Sequence, residues 1–594
     1  MDINHVRSAY NEARACLLAH RNAEGFWNGE LSSSALATAT AIGAFVAVRR
    51  STLDAQEPTL SAKIEAGIDW LVRNQNVDGG WGDTDRSFSN ISTTMLCRAA
   101  FYLAGKVPAY AGVVSRCEDW LQSRYGIEPE QLAQAVRERY GTDRTFAVPI
   151  LMMNALAGLI PWQEIPRLPF ELACLPQSWY RFARMPVVSY ALPALIAIGQ
   201  CIHHHRGTWN PVARIIRRLA RARSLRVLET IQPASGGYLE ATPLTSFVIM
   251  ALASSTDSPV ARRVISRGID FVVRSARADG SWPIDSNLSI WLTTLAVNAL
   301  AGAGDLDVLA DCSPLVSWLC QQQLATRHPY TGADPGAWGW SHLSGSVPDC
   351  DDTPGAMLAL TALGAHTEID PDVFSKSRTW ILKLQNRDGG WPTFCRGWGL
   401  LPFDRSGCDL TAHALRALRA ADPSFTSDRM EWQRAFLYLA RNQRQDGSWL
   451  PLWFGNQHAQ DDANPVYGTV KVLAAYRDCG LWDSAQAQAG IHFLLSLQNV
   501  DGGWGGAQGT PSSTEETALV VELLSDLPQA ETSLERGLIF LAQKVTDHTF
   551  VEPSPIGFYF AKLWYYEKLY PIIFTVAALG RSLARHAHPG SDHH

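Results

Sequence analysis

The sequence has few charged residues and no large excess of either sign. Asp, Glu, Lys and Arg make up 18% of its 594 residues, and the formal net charge is −6. A chain with this charge balance offers no basic surface to a polyanion. We therefore expect no nucleic-acid partner, and the length predicts several domains or an array of repeats.

Paired cysteines are lacking too. The 11 cysteines are odd in number and scattered, and no two of them form a Cys-x-x-Cys pair. This pattern excludes a disulfide framework and argues against a structural zinc site. We expect reduced thiols, a cytoplasmic location and no bound metal.

The sequence also has no long hydrophobic run. Its most apolar stretch, 185–199, is short and contains two prolines, so it should not span a bilayer. Trp179 and Tyr180 precede it, with Arg181 and Arg184 beside them, a composition typical of segments at a membrane interface. We predict peripheral, monotopic contact with the cytoplasmic side of a membrane, against the alternative that this run is a core helix.

Tryptophan, by contrast, is abundant, with 21 residues, and many of them close a repeated motif. Gln and Asp-Gly-Gly precede Trp81, Trp391 and Trp504, and Asp-Gly-Ser precedes Trp282 and Trp449. A weaker copy ends at Trp27. The intervals from Trp27 to Trp81, from Trp391 to Trp449 and from Trp449 to Trp504 are 54 to 58 residues, a period typical of stacked helical units.

Runs with helical spacing flank each copy, such as Ile64, Ile68 and Leu71 before the motif that ends at Trp81. Glycine can adopt the left-handed conformation that ends a helix, so each motif predicts a helix, an Asp-Gly turn and a second helix. Because no stretch alternates apolar and polar residues convincingly, we predict an all-α fold.

Three carboxylates crowd into the segment Asp349-Cys350-Asp351-Asp352-Thr353, just before an apolar helical run. Pro354 suits the first position of that helix, with Thr353 as its cap. The helix dipole favours carboxylates there, while mutual repulsion opposes ionisation of all three, so the cluster can hold a proton that it readily gives up. A simple helix cap or a Mg²⁺ site is the alternative.

The Gln…Asp-Gly-x-Trp repeats and the Asp-x-Asp-Asp-Thr segment together resemble the squalene-hopene cyclase family, which has QW motifs and a DxDDT acid motif. The resemblance covers most of the chain. It implies two α/α barrels, one inserted into the other, with a large apolar cavity between them. On this basis we expect residues 1–28 plus 288–594 to form the catalytic barrel and residues 29–287 to form the inserted barrel.

The same resemblance implies the roles of the acidic residues. Asp351 would donate the proton, while Asp349 and Asp352 would tune it. Asp409 and His413 are spaced i to i+4, which places both on one face of a helix, where the carboxylate can hold the imidazole in its cationic form. A cationic His413 beside Asp351 would make Asp351 a stronger acid.

Protonation of an alkene gives a carbocation that needs a dry cavity and aromatic faces around it. Aromatic residues stand at several positions that match cavity positions of the family, although a core role is the alternative for each. The expected substrate-binding residues are Trp291, Trp340, Phe394, Trp453, Tyr467, Tyr559 and Tyr566.

The resemblance implies a cofactor-free isomerase that protonates a terminal alkene of squalene and cyclises it to a hopene-type product or a water-terminated one. A class II cyclase of another polyprenoid, such as a diterpenoid diphosphate, is the alternative within this chemistry. A zinc prenyltransferase-like toroid and a non-enzymatic toroid are alternatives from other classes. The sequence allows a homodimer but does not specify one.

Overall fold

A computed structural model describes residues 2–51, 57–141, 143–183, 187–207, 209–559 and 562–587. Helices account for most of these residues, and the all-α prediction is confirmed. The first twelve helices are α1 Ile3–Ala19, α2 Ala35–Arg50, α3 Glu57–Arg73, α4 Ile91–Leu103, α5 Ala111–Tyr125, α6 Pro129–Tyr140, α7 Arg144–Leu156, α8 Gln177–Phe182, α9 Val187–Arg206, α10 Pro211–Thr230, α11 Thr242–Ala253 and α12 Pro259–Arg274.

The remaining helices are α13 Ser289–Gly302, α14 Ser313–Gln321, α15 Asp352–Leu363, α16 Pro371–Leu384, α17 Cys408–Ala421, α18 Met430–Arg441, α19 Pro465–Asp478, α20 Ala485–Ser496, α21 Thr514–Leu524, α22 Glu531–Thr546 and α23 Tyr570–Ala587. Short 3₁₀ helices occupy Trp162–Glu164, Phe170–Cys174, Tyr238–Glu240, Leu306–Leu309, Gln460–Asp462 and Pro528–Ala530.

Three two-stranded antiparallel sheets contain the only strands in the described part of the chain. They pair β1 Ser33–Ser34 with β2 Trp282–Pro283, β3 Trp391–Pro392 with β4 Ser406–Gly407, and β5 Gly557–Tyr559 with β6 Leu563–Tyr565. The first sheet joins residues about 250 positions apart in sequence. It therefore links the two ends of the chain segment that forms one ring of helices.

The helices form two closed rings. Helices α2, α4, α7, α9 and α11 each pack against the next, and α11 returns to α2. A second ring runs through α13, α15, α17, α19, α21 and α23 and closes between α23 and α13. Outer helices cover both rings, and α1 packs on α22 and α23 of the second. This is the predicted pair of α/α barrels, with the first ring inserted after α1; the boundaries 1–28 and 29–287 stay predictions.

The repeat turn has one hydrogen-bond pattern throughout. Each aromatic residue that closes a turn donates its side-chain N–H or O–H group to a carbonyl at the end of the preceding helix over 2.7–3.0 Å, as Trp391 does to Ile381. Its backbone N–H group donates to a threonine hydroxyl over 2.9–3.1 Å. In six copies this threonine lies in the following helix, whereas Trp27 contacts Thr293 of α13 and Trp282 contacts Thr38 of α2. The turn therefore fastens two helices to one buried aromatic side chain.

Glycine is required in these turns because the backbone is both left-handed and tightly packed. Gly79 has a φ of +93°, and a Cβ atom there would lie 2.5 Å from the carbonyl oxygen of Arg116. No side chain fits at that distance.

Two further copies of the turn were not recognised in the sequence. Tyr238 replaces the tryptophan in one, and its hydroxyl group donates to the carbonyl of Leu228. In the other, Trp338 donates to the carbonyl of Leu319, 19 residues earlier, whereas Trp391 donates to a carbonyl 10 residues earlier. A longer loop between the helix and the tryptophan accounts for the difference. A changed aromatic residue and a changed spacing hid these copies from the motif.

The predicted membrane run is mostly core. Residues 184–186 lie outside the described part of the chain, but Tyr190, Leu192, Ile196 and Ile198 of helix α9 are buried. No described helix is long and apolar enough to cross a bilayer. Interfacial contact through the 185–199 run is therefore wrong for those side chains, since they pack inside the inserted barrel.

Exposed apolar side chains lie beside this run instead. We call them the apolar surface: Leu172, Leu175, Trp179 and Phe182 around α8, and Val212, Ile215, Ile216 and Leu219 on α10. Helix α10 packs against the 3₁₀ helix Phe170–Cys174, which joins the two groups. Phe182 is 93% exposed and Leu219 is 76% exposed, so large side chains of a kind usually buried face solvent here.

Candidate active site

The acid segment enters helix α15, but it does so differently from the prediction. The helix begins at Asp352, with Asp351 at the cap position, two residues earlier than expected. Thr353 is not the cap, because its hydroxyl accepts the backbone N–H of Trp338 and so completes a repeat turn. Asp349 acts as the side-chain cap: its Oδ1 accepts the N–H groups of Asp351 and Asp352 over 2.8 and 2.7 Å.

Asp349 and Asp352 form a carboxyl pair. The two side chains hydrogen-bond to each other, which requires one proton between them. Burial raises the pKa of both, and the charge of Asp349 raises the pKa of Asp352 further, while the two N–H groups on Asp349 favour its ionised form. Asp352 is therefore the protonated member and Asp349 the anion.

Asp351 differs from its neighbours in having no hydrogen bond to its carboxyl group from any described residue. Burial raises its pKa well above the ordinary range, and the charges of Asp409 and Asp349 raise it further, while Lys471 lowers it. Asp351 lines two cavities, one aromatic and one polar. These effects favour the protonated form of its carboxyl, and no described residue accepts a hydrogen bond from it.

Asp409 and His413 both lie in helix α17 near Asp351, but they are not the predicted ion pair. The Asp409 carboxylate accepts the backbone N–H of Leu452 over 3.1 Å, and burial raises its pKa to about 6. Burial, Arg416 and Lys471 lower the pKa of His413 well below its usual value, and its Nε2 has no hydrogen-bond partner among the described residues. These effects oppose the cationic form that was expected for His413.

The aromatic cavity lies between the two rings of helices. Trp291, Trp340, Phe394, Trp453 and Tyr559, five of the predicted substrate-binding residues, line it together with Asp349, Asp351 and Asp352. Four of these rings form a chain: the centroid of Phe394 lies 6.5 Å from Trp340 and 5.9 Å from Trp453, and Tyr559 follows Trp453 at 5.5 Å. The cavity thus sets π faces around the acid cluster.

The other two predicted aromatic residues lie elsewhere. Tyr467 lines the polar cavity and stacks on Phe454, with ring centroids 4.0 Å apart. Tyr566 is wrong as a cavity residue: its hydroxyl donates to Asp85 over 2.8 Å and Arg86 lies over its ring. In strand β6 successive side chains point to opposite faces, and Tyr565 is the one that lines the cavity.

Several cavity residues were missed from the sequence. Tyr190, Phe403, Phe454 and Tyr565 line the aromatic cavity, as does the buried Asp285 of the inserted ring. Tyr190 comes from helix α9, whose apolar run indicated a membrane segment rather than a cavity wall. No pattern in the sequence identified Tyr565, because its orientation follows from the pairing of β6 with β5.

The polar cavity lies on the other side of Asp351. Asp409, His413, Lys471 and Glu522 line it, together with arginines of α17, α19 and α23. Among the residues that the structure describes, no group of three or more His, Cys, Asp or Glu side chains is arranged to hold a metal ion.

Two helical rings enclosing an aromatic cavity, with a buried carboxyl of raised pKa in its wall, define a class II terpene cyclase, in which a protein acid starts the reaction. The family model of the squalene-hopene cyclase N-terminal domain matches residues 10–283, and that of the C-terminal domain matches residues 286–584. The chain therefore belongs to the squalene-hopene cyclase family.

Individual relatives are distant. The chain is 24% identical to a probable squalene–hopene cyclase of Sinorhizobium fredii over 90% of both chains. It is 29% identical to a drimenyl diphosphate synthase of Streptomyces showdoensis over 50% of this chain and 51% of that one. An ent-copalyl diphosphate synthase structure from Streptomyces platensis has a TM-score of 0.55 at 17% identity, over 99% of this chain and 100% of that one. This protein is an enzyme that cyclises polyprenoids.

Proposed function

We propose that this protein is a triterpene cyclase that protonates a terminal alkene of squalene and cyclises it to a hopene-type or water-terminated product. One observation carries the proposal: the Asp351 carboxyl lines the aromatic cavity without a hydrogen bond from a described residue, and burial raises its pKa, which favours the protonated form. Asp352 already shares its proton with Asp349, so of the three acids Asp351 is the one free to give up a proton to an alkene.

The chemistry follows from this placement. The alkene π electrons form a C–H bond with the Asp351 proton, which leaves a carboxylate on the protein and a tertiary carbocation on the substrate. Successive double bonds then attack the cation and close rings. Trp340, Phe394 and Trp453 present π faces that stabilise the positive charge as it moves.

The charge of the aromatic cavity supports a neutral substrate rather than a diphosphate. Its described lining contains four carboxyl side chains, those of Asp285, Asp349, Asp351 and Asp352, and no lysine or arginine. A diphosphate needs cations or a set of N–H donors, and this lining offers no cationic side chain to bind one. A hydrocarbon such as squalene carries no charge, so it needs no cations or N–H donors in the cavity.

The experiment is a product analysis with purified protein. Detergent-solubilised wild type is incubated with squalene and, separately, with geranylgeranyl diphosphate, and the extracts are analysed for cyclised products. We expect polycyclic triterpenes from squalene, and Asp351→Asn should lose turnover by at least about 10²–10⁴-fold while its circular dichroism spectrum stays unchanged. Cyclisation of the diphosphate alone would contradict the squalene assignment.

Peripheral attachment to a membrane is a second part of the proposal. The apolar surface presents Trp179, Phe182 and Leu219 to solvent, and Arg214 and Arg218 lie on the same helix as Leu219. Exposed apolar and aromatic side chains flanked by arginine favour insertion into the headgroup region of a bilayer. A membrane-dissolved substrate gives such a surface a use.

A further inference from the structure

Ionisation of Asp351 needs a nearby positive charge. When Asp351 gives its proton to an alkene, it becomes a carboxylate in a buried site, which is costly without such a charge. Burial, Arg416 and Lys471 lower the pKa of His413 and so oppose its cationic form. A further cation facing Asp351 would stabilise the carboxylate and make Asp351 a stronger acid.

Lys471 is the cation that the structure places there. It follows Tyr467 by four residues on helix α19, so the two side chains lie on one helix face. Its Nζ lies 5.1 Å from the centroid of the Tyr467 ring and 5.9 Å from that of Phe574. Aromatic faces stabilise an ammonium group that has little water around it.

The surroundings of Lys471 leave its charge available. Its ammonium group forms no hydrogen bond and no ion pair within 4.0 Å with any described residue, and it lines the polar cavity with Asp351. The charged and titratable groups that face the same cavity are Asp351, Asp409, His413 and Arg416, then Arg477 and Asp478 of its own helix, Glu522 of α21 and Arg581 of α23.

The three arginines of this set already have carboxylate partners. Asp478 contacts Arg416 and Arg477, and Asp526 contacts Arg477 and Arg581, so each guanidinium group lies directly against a carboxylate. Asp351, Asp409, Glu522 and Lys471 remain. Among the charges facing the cavity, Lys471 is thus the one described cation whose field is not offset by direct contact with a carboxylate.

We propose that Lys471 is a positively charged positioning residue that stabilises the Asp351 carboxylate and so makes Asp351 acidic enough to protonate an alkene. The inference rests on the proposed function. Lys471 keeps its own proton throughout: the Asp351 proton forms the new C–H bond, Asp351 is left with the negative charge, and Lys471 acts through its field alone. Solvent reaching the polar cavity then restores the Asp351 proton.

The inference predicts an alkaline limit to activity. Burial lowers the pKa of Lys471 to about 8, and Glu522 raises it against that effect. The charged form is present below this pKa and is lost above it, so turnover should fall as the pH rises through about 8. Glu522→Gln should move this limit to lower pH, because it removes an anion that favours the ammonium form.

The test compares substrates that need acids of different strength. An epoxide oxygen is far more basic than an alkene carbon, so a polyprene with a terminal epoxide is activated by a weaker acid than squalene needs. Lys471→Met should reduce kcat on squalene about 10- to 100-fold, since a neighbouring opposite charge is worth one to two pKa units. It should reduce kcat on the epoxide much less, and KM should change little for both. Lys471→Arg, which keeps the charge, should retain squalene turnover and lose the limit near pH 8.

Outcomes separate this inference from the proposed function. Inactive Asp351→Asn with fully active Lys471→Met would overturn the role of Lys471 and leave the cyclase proposal intact. Active Asp351→Asn would overturn both. Equal losses on alkene and epoxide in Lys471→Met and in a second variant, Lys471→Gln, would indicate a structural role and also overturn the inference.

Discussion

The hydroxyl group of Thr353 accepts the backbone N–H of Trp338 over 3.0 Å, and Thr353 directly follows the acid cluster. The same bond joins Trp449 to Thr469 in a turn that carries no chemistry. The acid segment is therefore one repeat turn whose threonine is structural and whose preceding residues are carboxylates. The position of Asp351 depends on a bond that the fold uses throughout.

This relationship predicts a pair of variants with equal stability losses and unequal activity losses. Thr353→Val and Thr94→Val each leave a buried N–H group without its acceptor, because the Thr94 hydroxyl accepts the N–H of Trp81 over the same 3.0 Å. Each change should lower the free energy of unfolding by about 1–3 kcal/mol. Only Thr353→Val should also lower turnover, because it releases the start of helix α15. Denaturant unfolding and squalene turnover measure the two effects, and equal activity in both variants would contradict the link.

The three acids should differ when each is changed to asparagine. Asp352→Asn retains an N–H donor for Asp349, so its loss of turnover should be the smallest of the three. Asp349→Asn removes the anion that accepts two backbone N–H groups and should cost more. Asp351→Asn should lose the most, and His413→Ala should lose less than Asp351→Asn. Initial rates at matched concentrations of folded protein give the order, and a most severe effect at Asp352 would contradict it.

Buried acids should make the protein less stable as the pH rises. Burial raises the pKa of Glu515 to about 8 and that of Asp409 to about 6. The folded state then binds protons that the unfolded state has released, so their stabilising effect is complete below about pH 4 and is lost as the pH rises through 6 to 8. The melting temperature should fall between pH 5 and pH 8, provided other groups are unchanged.

A matched variant isolates one of these groups. Oε1 of Glu515 accepts the backbone N–H of Ser554, while Oε2 has no partner among the described residues. Glutamine can retain the first contact without a titrating group, so Glu515→Gln should flatten the fall in melting temperature. An unchanged pH profile would contradict the raised pKa.

Chelation should leave turnover unchanged. A carboxylic acid and aromatic faces suffice for the proposed reaction, and the first step needs only the Asp351 proton. Activity is measured after treatment with EDTA and dialysis, with and without added Mg²⁺ or Zn²⁺. A loss that either metal restores would contradict a cofactor-free reaction.

Removal of apolar side chains from α8 and α10 should weaken membrane binding. Phe182→Ser combined with Leu219→Ser should lower the bound fraction in sedimentation with phosphatidylcholine–phosphatidylglycerol vesicles. Val77→Ser combined with Val500→Ser is the control, because both valines are fully exposed but lie in repeat turns. Equal binding by the two double variants would show that the apolar surface is not the contact.

The repeat turns could be predicted from the sequence, but properties that depend on residues distant in the chain could not. Glycine and tryptophan at fixed spacing are constrained by local geometry, so the turns at Trp81, Trp391 and Trp504 were evident. The charge of His413 was not, because Lys471 and Arg416, which oppose it together with burial, become its neighbours only when the second ring closes. Tyr566 was chosen over Tyr565 for a related reason: no local pattern fixed the register of the β5–β6 hairpin.

The repeat turn at Tyr238 shows how tolerant this architecture is of exchange. A phenol reaches the same carbonyl that an indole reaches elsewhere, and the neighbouring threonine contact is kept at 3.0 Å. The aromatic side chain and the threonine of each turn thus hold the helices together. The residues between them can vary and can carry the chemistry. The other repeat turns share this geometry, so each offers an equivalent position for the introduction of a carboxylate by design.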